Sequence, residues 1–209
     1  SYPDDNAETA LQRQRLLNGE LDSVTGERRF VRKDGSVFWA RRTLSLARGA
    51  GDEPLYFIGV SEDISEERKH RERYQVMFEN AAVGITSIGT DGVLVDVNQK
   101  FCQMLGYERA ELIGLPVRDV THPDDVGEGA GYRDRFTRGE MQSAVGEKRF
   151  ICKDGSIIWA RRTMSVVHDD TGKPQFLVSV VEDISERKRA EAQLRQLADY
   201  DVLTNLPSR

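Results

Sequence analysis

The sequence predicts an α+β fold: a five-stranded antiparallel sheet with short helices on one face, extended by long connector helices. Three observations carry this expectation. Strand-like and helix-like runs follow one another as two strands, several short helices and three more strands. A long stretch of chain recurs at a fixed offset, and each copy runs out into a highly charged helical segment.

The recurrence sets the domain organisation. "GERRFVRKDGSVFWARRTLS" starts at Gly26 and returns as "GEKRFICKDGSIIWARRTMS" at Gly146, an offset of 120 residues (146 − 26). At the same offset Pro3-Asp4-Asp5 falls on Pro123-Asp124-Asp125, and "EDISE" at Glu62 falls on "EDISE" at Glu182. A period this long marks a duplicated domain rather than a solenoid. Residues 1–64 read as the C-terminal half of a first domain whose front is missing, and residues 73–185 as a complete second domain. A connector helix is expected over 65–80, a second helix over 184–200, and a separate short segment over 201–209.

In the complete copy, "ERKHRERYQVMFENA" is helical, with an apolar end at Tyr74, Met77 and Phe78. "VGITSIGTDGVLVDVN" reads as a hairpin, because Asp91-Gly92 tolerates the positive φ of a tight turn. "QKFCQMLGY" and "ERAELIG" are short helices closed by Gly106 and Gly114. "PDDVGEGAGYRDRFTRGE" is a weaker helix, since each of its glycines between Val126 and Tyr132 costs roughly 1 kcal/mol of propensity. "VGEKRFICKDGSIIWARRTMSVV" is a pair of strands turning at Lys153-Asp154-Gly155-Ser156, and "KPQFLVSVVEDI" is a last strand opened by Pro174.

Composition narrows the function. With 209 residues, 38% apolar and 31% charged, the chain has the balance of one or two soluble globular domains. A net charge of −5 with no basic block beside aromatics gives no footprint for nucleic acid. No run is long and apolar enough to span a bilayer, so membrane attachment would come only through missing upstream segments. Cys102 and Cys152 lack CxxC spacing and read as core thiols of a reducing, cytoplasmic compartment. His70, His122 and His168 are scattered, so neither a metal site nor a catalytic set is expected.

The complete copy resembles a PAS domain of the sensor-box type, on "NQKFCQMLGY", "HPDD", "KDGSIIWARR" and "EDISERK". The first copy resembles the back half of another. The terminal "DVLTNLPSR" resembles the D-x-L-T-x-L-P-N-R opening of GGDEF domains, matched at Asp201, Leu203, Thr204, Leu206, Pro207 and Arg209, with Ser208 where that family usually has asparagine. The resemblance implies a sensory region, itself without catalysis, that precedes a diguanylate cyclase making cyclic di-GMP from GTP. Whether an EAL phosphodiesterase domain follows is left open, and a histidine kinase or other output is the alternative. PAS domains hold haem, flavin, small metabolites or nothing. The absence of a histidine between Asp124 and Glu140 argues against haem, and the absence of an "NCRFLQ" motif argues against a light-sensing flavin. A small-molecule ligand in the PAS cavity is the remaining expectation, its identity unknown.

Strand alternation from Ile158 sends Ala160, Arg162, Met164 and Val166 one way and Trp159, Arg161, Thr163 and Ser165 the other. The first row is assigned inward with Phe101, Leu105, Phe150 and Val178, as the lining of the cavity, which puts Trp159 and its repeat Trp39 on the outer face. An inward Arg162 is costly unless paired, and Glu147 is its expected partner, with an anionic ligand as the alternative. The signal relay is assigned to the two strand exits, Asp63-Ile64-Ser65 and Asp183-Ile184-Ser185, whose polar side chains can cap the following helix. Ala190, Leu194 and Leu197 form an apolar stripe on that helix, suited to a parallel homodimer through the connector helices.

Overall fold

The computed structural model describes residues 2 and 5–199. The chain divides into two units, Ser1–Gln75 and Val76–Arg209. The first unit contains α1 (Asn6–Leu17), β1 (Ser23–Val31), β2 (Val37–Arg48) and β3 (Pro54–Asp63) in a three-stranded antiparallel sheet of order β1-β2-β3, and α2 (Ser65–Glu79) starts within it. Alternation along β2 turns Ala40 and Leu44 inward, where they are buried together with Leu16 and Ile64. Among the described residues no strand pairs with the far edge of β3, and Leu55, Tyr56, Ile58 and Val60 on that strand are exposed.

The second unit has the five-stranded antiparallel sheet. Its elements are β4 (Gly84–Gly89), β5 (Leu94–Val97), α3 (Gln99–Leu105), α4 (Arg109–Leu112), α5 (Val126–Thr137), β6 (Ser143–Ile151), β7 (Ile157–His168), β8 (Pro174–Asp183) and α6 (Ser185–Asp199). The sheet order is β5-β4-β8-β7-β6, so the last strand returns to the middle and pairs with the first. The β4–β5 turn is made at Gly92, whose φ of 89° is open to glycine without strain. In the β6–β7 turn, Asp154 Oδ1 accepts from the N–H and the hydroxyl of Ser156 at 2.9 and 2.6 Å, and Asp34 does the same with Ser36 in the first unit.

One side chain fastens the helical layer to the sheet. Asn98 is fully buried at the end of β5. Its Oδ1 accepts from the N–H groups of Ile85 (2.8 Å) and Phe101 (3.0 Å), and its Nδ2 donates to the carbonyls of Phe78 (2.9 Å) and Val83 (3.0 Å). The same amide therefore caps α3 and holds the end of α2 and the start of β4. Phe101, Leu105, Phe150, Val97 and Leu112 belong to the buried core of this unit.

The glycine-rich segment after "HPDD" does form α5. Low propensity is offset at both ends: Phe136 is fully buried, and Asp125, just before the first turn, accepts from the Arg149 backbone N–H at 2.7 Å and from its guanidinium at 2.7 and 3.1 Å. The first unit repeats the tie, with Asp5 accepting from the backbone N–H and the guanidinium of Arg29, both at 2.8 Å.

Replacing Asn98 by Asp keeps its shape but removes both donors and buries a carboxylate. The expected loss is about 2–4 kcal/mol of unfolding free energy in urea titration, with an unchanged slope.

Candidate functional site

Between α5 and the inner face of the sheet lies a cavity of about 280 Å³. Ile88 from β4, Met164 from β7, Leu177 from β8 and Val117 supply apolar walls, while α5 contributes Gly129 and Ala130. These small residues leave the room: a Cβ on Gly129 would stand 3.7 Å from the Arg162 guanidinium. Of the α5 glycines that weaken the helix in sequence, Gly129 faces this space above the sheet.

The charge in this cavity is mainly positive. Arg118, Arg133, Lys148 and Arg162 line it, against the carboxylates of Asp91 and Asp125, and Asp125 is already held by Arg149. Lys148 is only 5% exposed and Arg162 only 7%. Lys148 Nζ donates to Thr121 Oγ1 at 2.8 Å and lies 4.1 Å over the Phe150 ring. Arg162 has no hydrogen bond or ion pair among the described residues; its guanidinium stands 5.9 Å over the ring of Tyr132. Burial pushes the Lys148 ammonium well below its usual range, and the neighbouring Arg162 charge pushes the same way. Burial also lowers Arg162, with Glu128 opposing.

The first unit solves the same problem differently. Arg28, the repeat of Lys148, is buried but donates to Thr9 Oγ1 and, at 2.5 Å, to Gln12 Oε1 of α1. The repeat positions of these two acceptors in α5 are Gly129 and Tyr132. Where α1 offers neutral acceptors to the buried cation, the same positions of α5 offer none to Lys148, and a cavity lies beside it.

Several expectations change. Ala160, Arg162 and Met164 do point inward, but of these only Arg162 and Met164 reach the cavity. Phe101, Leu105, Phe150 and Ala160 are packed core: Phe101 and Phe150 meet edge to face at 5.8 Å, which fills the volume they were expected to line. Val178 faces away. It lies opposite Ser165, and directly opposed residues of an antiparallel pair share a face, so Leu177, Ser179 and Val181 are the inward residues of β8. Glu147 is not the partner of Arg162. It stands opposite Arg161 on the outer face and pairs with Arg187 (2.5 Å) and Lys188 (2.6 Å) of α6. Lys148 was overlooked, although it shares the parity of inward Phe150 two residues along β6.

The strand exits have one geometry in both units. The Ile184 N–H donates to the Trp159 carbonyl at 2.9 Å, the Trp159 N–H to Ser185 Oγ at 3.0 Å, and the Ser185 N–H to Asp183 Oδ1 at 2.8 Å. In the first unit Ile64, Trp39, Ser65 and Asp63 make the same bonds at 2.9, 3.0 and 3.0 Å. Ile64 and Ile184 are buried beneath these turns. Trp159 is half-buried on the outer face, with Lys188 of α6 5.1 Å and Arg149 5.4 Å over its ring. Ala190 and Leu194 are exposed on α6, Leu194 at 67%. The side chain of Leu197, and Asp201, Leu203, Thr204, Leu206, Pro207 and Arg209, lie outside the described residues.

A PAS domain family model matches residues 3–66 and 82–186. The chain belongs to the PAS domain family. Two solved PAS domains share its fold. One, from Colwellia psychrerythraea, is 20% identical with a TM-score of 0.52, covering 56% of this chain and 99% of its own. The other, from an HTR-like protein of Haloarcula marismortui, is 23% identical with a TM-score of 0.50, covering 57% and 95%. Among curated relatives, a probable diguanylate cyclase of Escherichia coli is 34% identical over 66% of this chain and 13% of its own length. A sensor histidine kinase of Ectopseudomonas mendocina is 30% identical over 60% and 13%. The biofilm dispersion protein BdlA of Pseudomonas aeruginosa is 25% identical over 84% and 42%. The chain therefore spans a minor part of the length of these relatives. It is a tandem PAS sensory signalling region, and among its described residues no helix is long and apolar enough to cross a membrane.

In the second PAS domain, the Arg149 guanidinium holds the Asp125 carboxyl at about 2, against 3.8 unperturbed. A depressed folded value means that the tie stabilises above the unfolded value and is lost as pH falls through the folded one. The stability gap between wild type and Asp125→Asn is thus expected to be widest above pH 4 and to close towards pH 2, as read by urea titration at each pH.

Proposed function

We propose that this tandem PAS region passes a change on the inner face of its second domain through the Asp183-Ile184-Ser185 exit into α6, and from there to a downstream GGDEF domain that makes cyclic di-GMP. The observation that carries the reading is the strand-exit bonding, made identically in both units. Ser185 binds the β7 backbone with its hydroxyl while its own N–H, at the start of α6, is held by Asp183. A shift in β7 therefore moves the first turn of the helix. Glu147 reinforces the link, bridging β6 to Arg187 and Lys188 one turn on.

The output assignment is supported by the likeness of "DVLTNLPSR" to a GGDEF opening and by the relative named as a probable diguanylate cyclase. The exposed Ala190 and Leu194 suit a homodimer of α6 helices, which would bring two cyclase sites face to face in the cytoplasm. A stripe this short is marginal as an isolated coiled coil, so the downstream domains would share in holding it. The second reading, a histidine kinase output, is favoured by the sensor kinase relative.

The full-length protein, incubated with GTP and Mg²⁺, is expected to produce cyclic di-GMP. Ser185→Ala, which removes a hydrogen bond from the β7 backbone to the start of α6 worth about 1 kcal/mol, is expected to change the rate severalfold while the fold survives by circular dichroism. Absence of product, with ATP-dependent phosphorylation of a histidine instead, would assign the kinase output. A wild-type rate in Ser185→Ala would remove the strand exit from the relay.

A further inference from the structure

We propose that the cavity between α5 and the sheet of the second PAS domain binds a short-chain carboxylate, whose charged end is received by Arg162 and Lys148. Both cations are more than nine-tenths buried, and both line the cavity. Arg162 has no polar partner among the described residues. Lys148 spends one of its three N–H donors on Thr121 and has no other hydrogen bond among the described residues. Buried cations are otherwise paired, because an uncompensated one is strongly destabilising.

The nearby carboxylates Asp125 and Glu128 favour the charged forms from a distance, but none makes a hydrogen bond or ion pair with either cation among the described residues. Asp125 is engaged by the Arg149 backbone and guanidinium, and Asp91 Oδ1 accepts from the Val93 N–H at 3.1 Å. Glu128 acts on both cations only at a distance, with no hydrogen bond or ion pair to either among the described residues. Outside the PAS core the expected protein partner, Glu147, is held by α6. An oxyanion entering the cavity would meet a planar fork of donors on Arg162, matched to a carboxylate, and an ammonium on Lys148.

The remaining walls select what carries that charge. Ile88, Val117, Met164 and Leu177 are apolar and suit a short hydrocarbon body. A volume of about 280 Å³ is below the usual range for drug-sized ligands, so the body must be small. Inorganic phosphate would leave these walls unfilled. The contrast with the first unit points the same way: there Thr9 and Gln12 accept from both terminal nitrogens of the buried cation, and here glycine and tyrosine replace them.

The assignment rests on the sensory reading only for its consequence, so its test reads binding and not output. Isothermal titration calorimetry of the whole chain would use butyrate and succinate, with 1-butanol as the uncharged counterpart and inorganic phosphate as the competing oxyanion. At least one carboxylate is expected to bind saturably at one site per chain, about tenfold or more tighter than 1-butanol and phosphate. Arg162→Met is expected to weaken it by about tenfold or more. Gly129→Leu, which fills the cavity and keeps both cations, is expected to do the same and carries the test should Arg162→Met not fold. The proposal is overturned if neither carboxylate binds, if phosphate binds in preference, or if the folded variants bind the carboxylate as tightly as wild type. A missing carboxylate site would leave cyclic di-GMP synthesis free to be measured, and an absent cyclase activity would leave the binding result standing.

Discussion

The two-residue alternation of an antiparallel sheet governs this structure. Once Phe150, Ala160 and Met164 turn inward to close the core, Lys148 and Arg162 must turn inward with them, because they share the same parity on β6 and β7. A one-residue slip that freed the cations would expose the aromatic and methionine side chains instead. The fold therefore has to accommodate two positive charges on its buried face. In the first unit one cation, Arg28, is buried and donates to the hydroxyl and amide of α1, while in the second Lys148 and Arg162 are both buried beside a cavity under α5.

That accommodation lies close to the place where the domain ends. Arg162 stands opposite Val181, and Ala160 opposite Asp183, at which the chain leaves the sheet. Trp159 is next along β7, and its backbone holds both Ile184 and Ser185. Three residues of one strand thus separate the cavity from the first turn of α6. The outer face adds a second hold on the helix, through Glu147 with Arg187 and Lys188 and through the Trp159 ring under Lys188. The proposed relay needs only that a close-packed interior pass a change in side-chain arrangement on one face of β7 along these three residues.

Much of the architecture was legible because its signals are local. The hairpin turns rest on Asp-Gly pairs, the short helices end on glycine, and the alternation along β7 can be counted from Ile158. Val178 was misplaced because the phase of one strand does not transfer to the next: the β7–β8 connection contains an irregularity between Val167 and His168, and only the pairing of Val178 with Ser165 sets its face. Glu147 was assigned to Arg162 from charge alone, whereas the ladder sets it opposite Arg161. The boundary between core and cavity was not legible either. Phe101 and Phe150 are large enough to line a pocket or to fill one, and their edge-to-face contact decides for filling. Gly129 and Ala130 of α5 border the room itself, and in the sequence that glycine signals only a poor helix.

The central claim, that the buried cations and the strand exit form one mechanical unit, is tested most directly by amide hydrogen exchange in wild type and Arg162→Met. The account predicts a severalfold change in protection at the Ile184 and Ser185 N–H groups and through the first turn of α6, beyond any change in global stability. Protection that changes uniformly across the sheet, or not at all at Ile184 and Ser185, would contradict it.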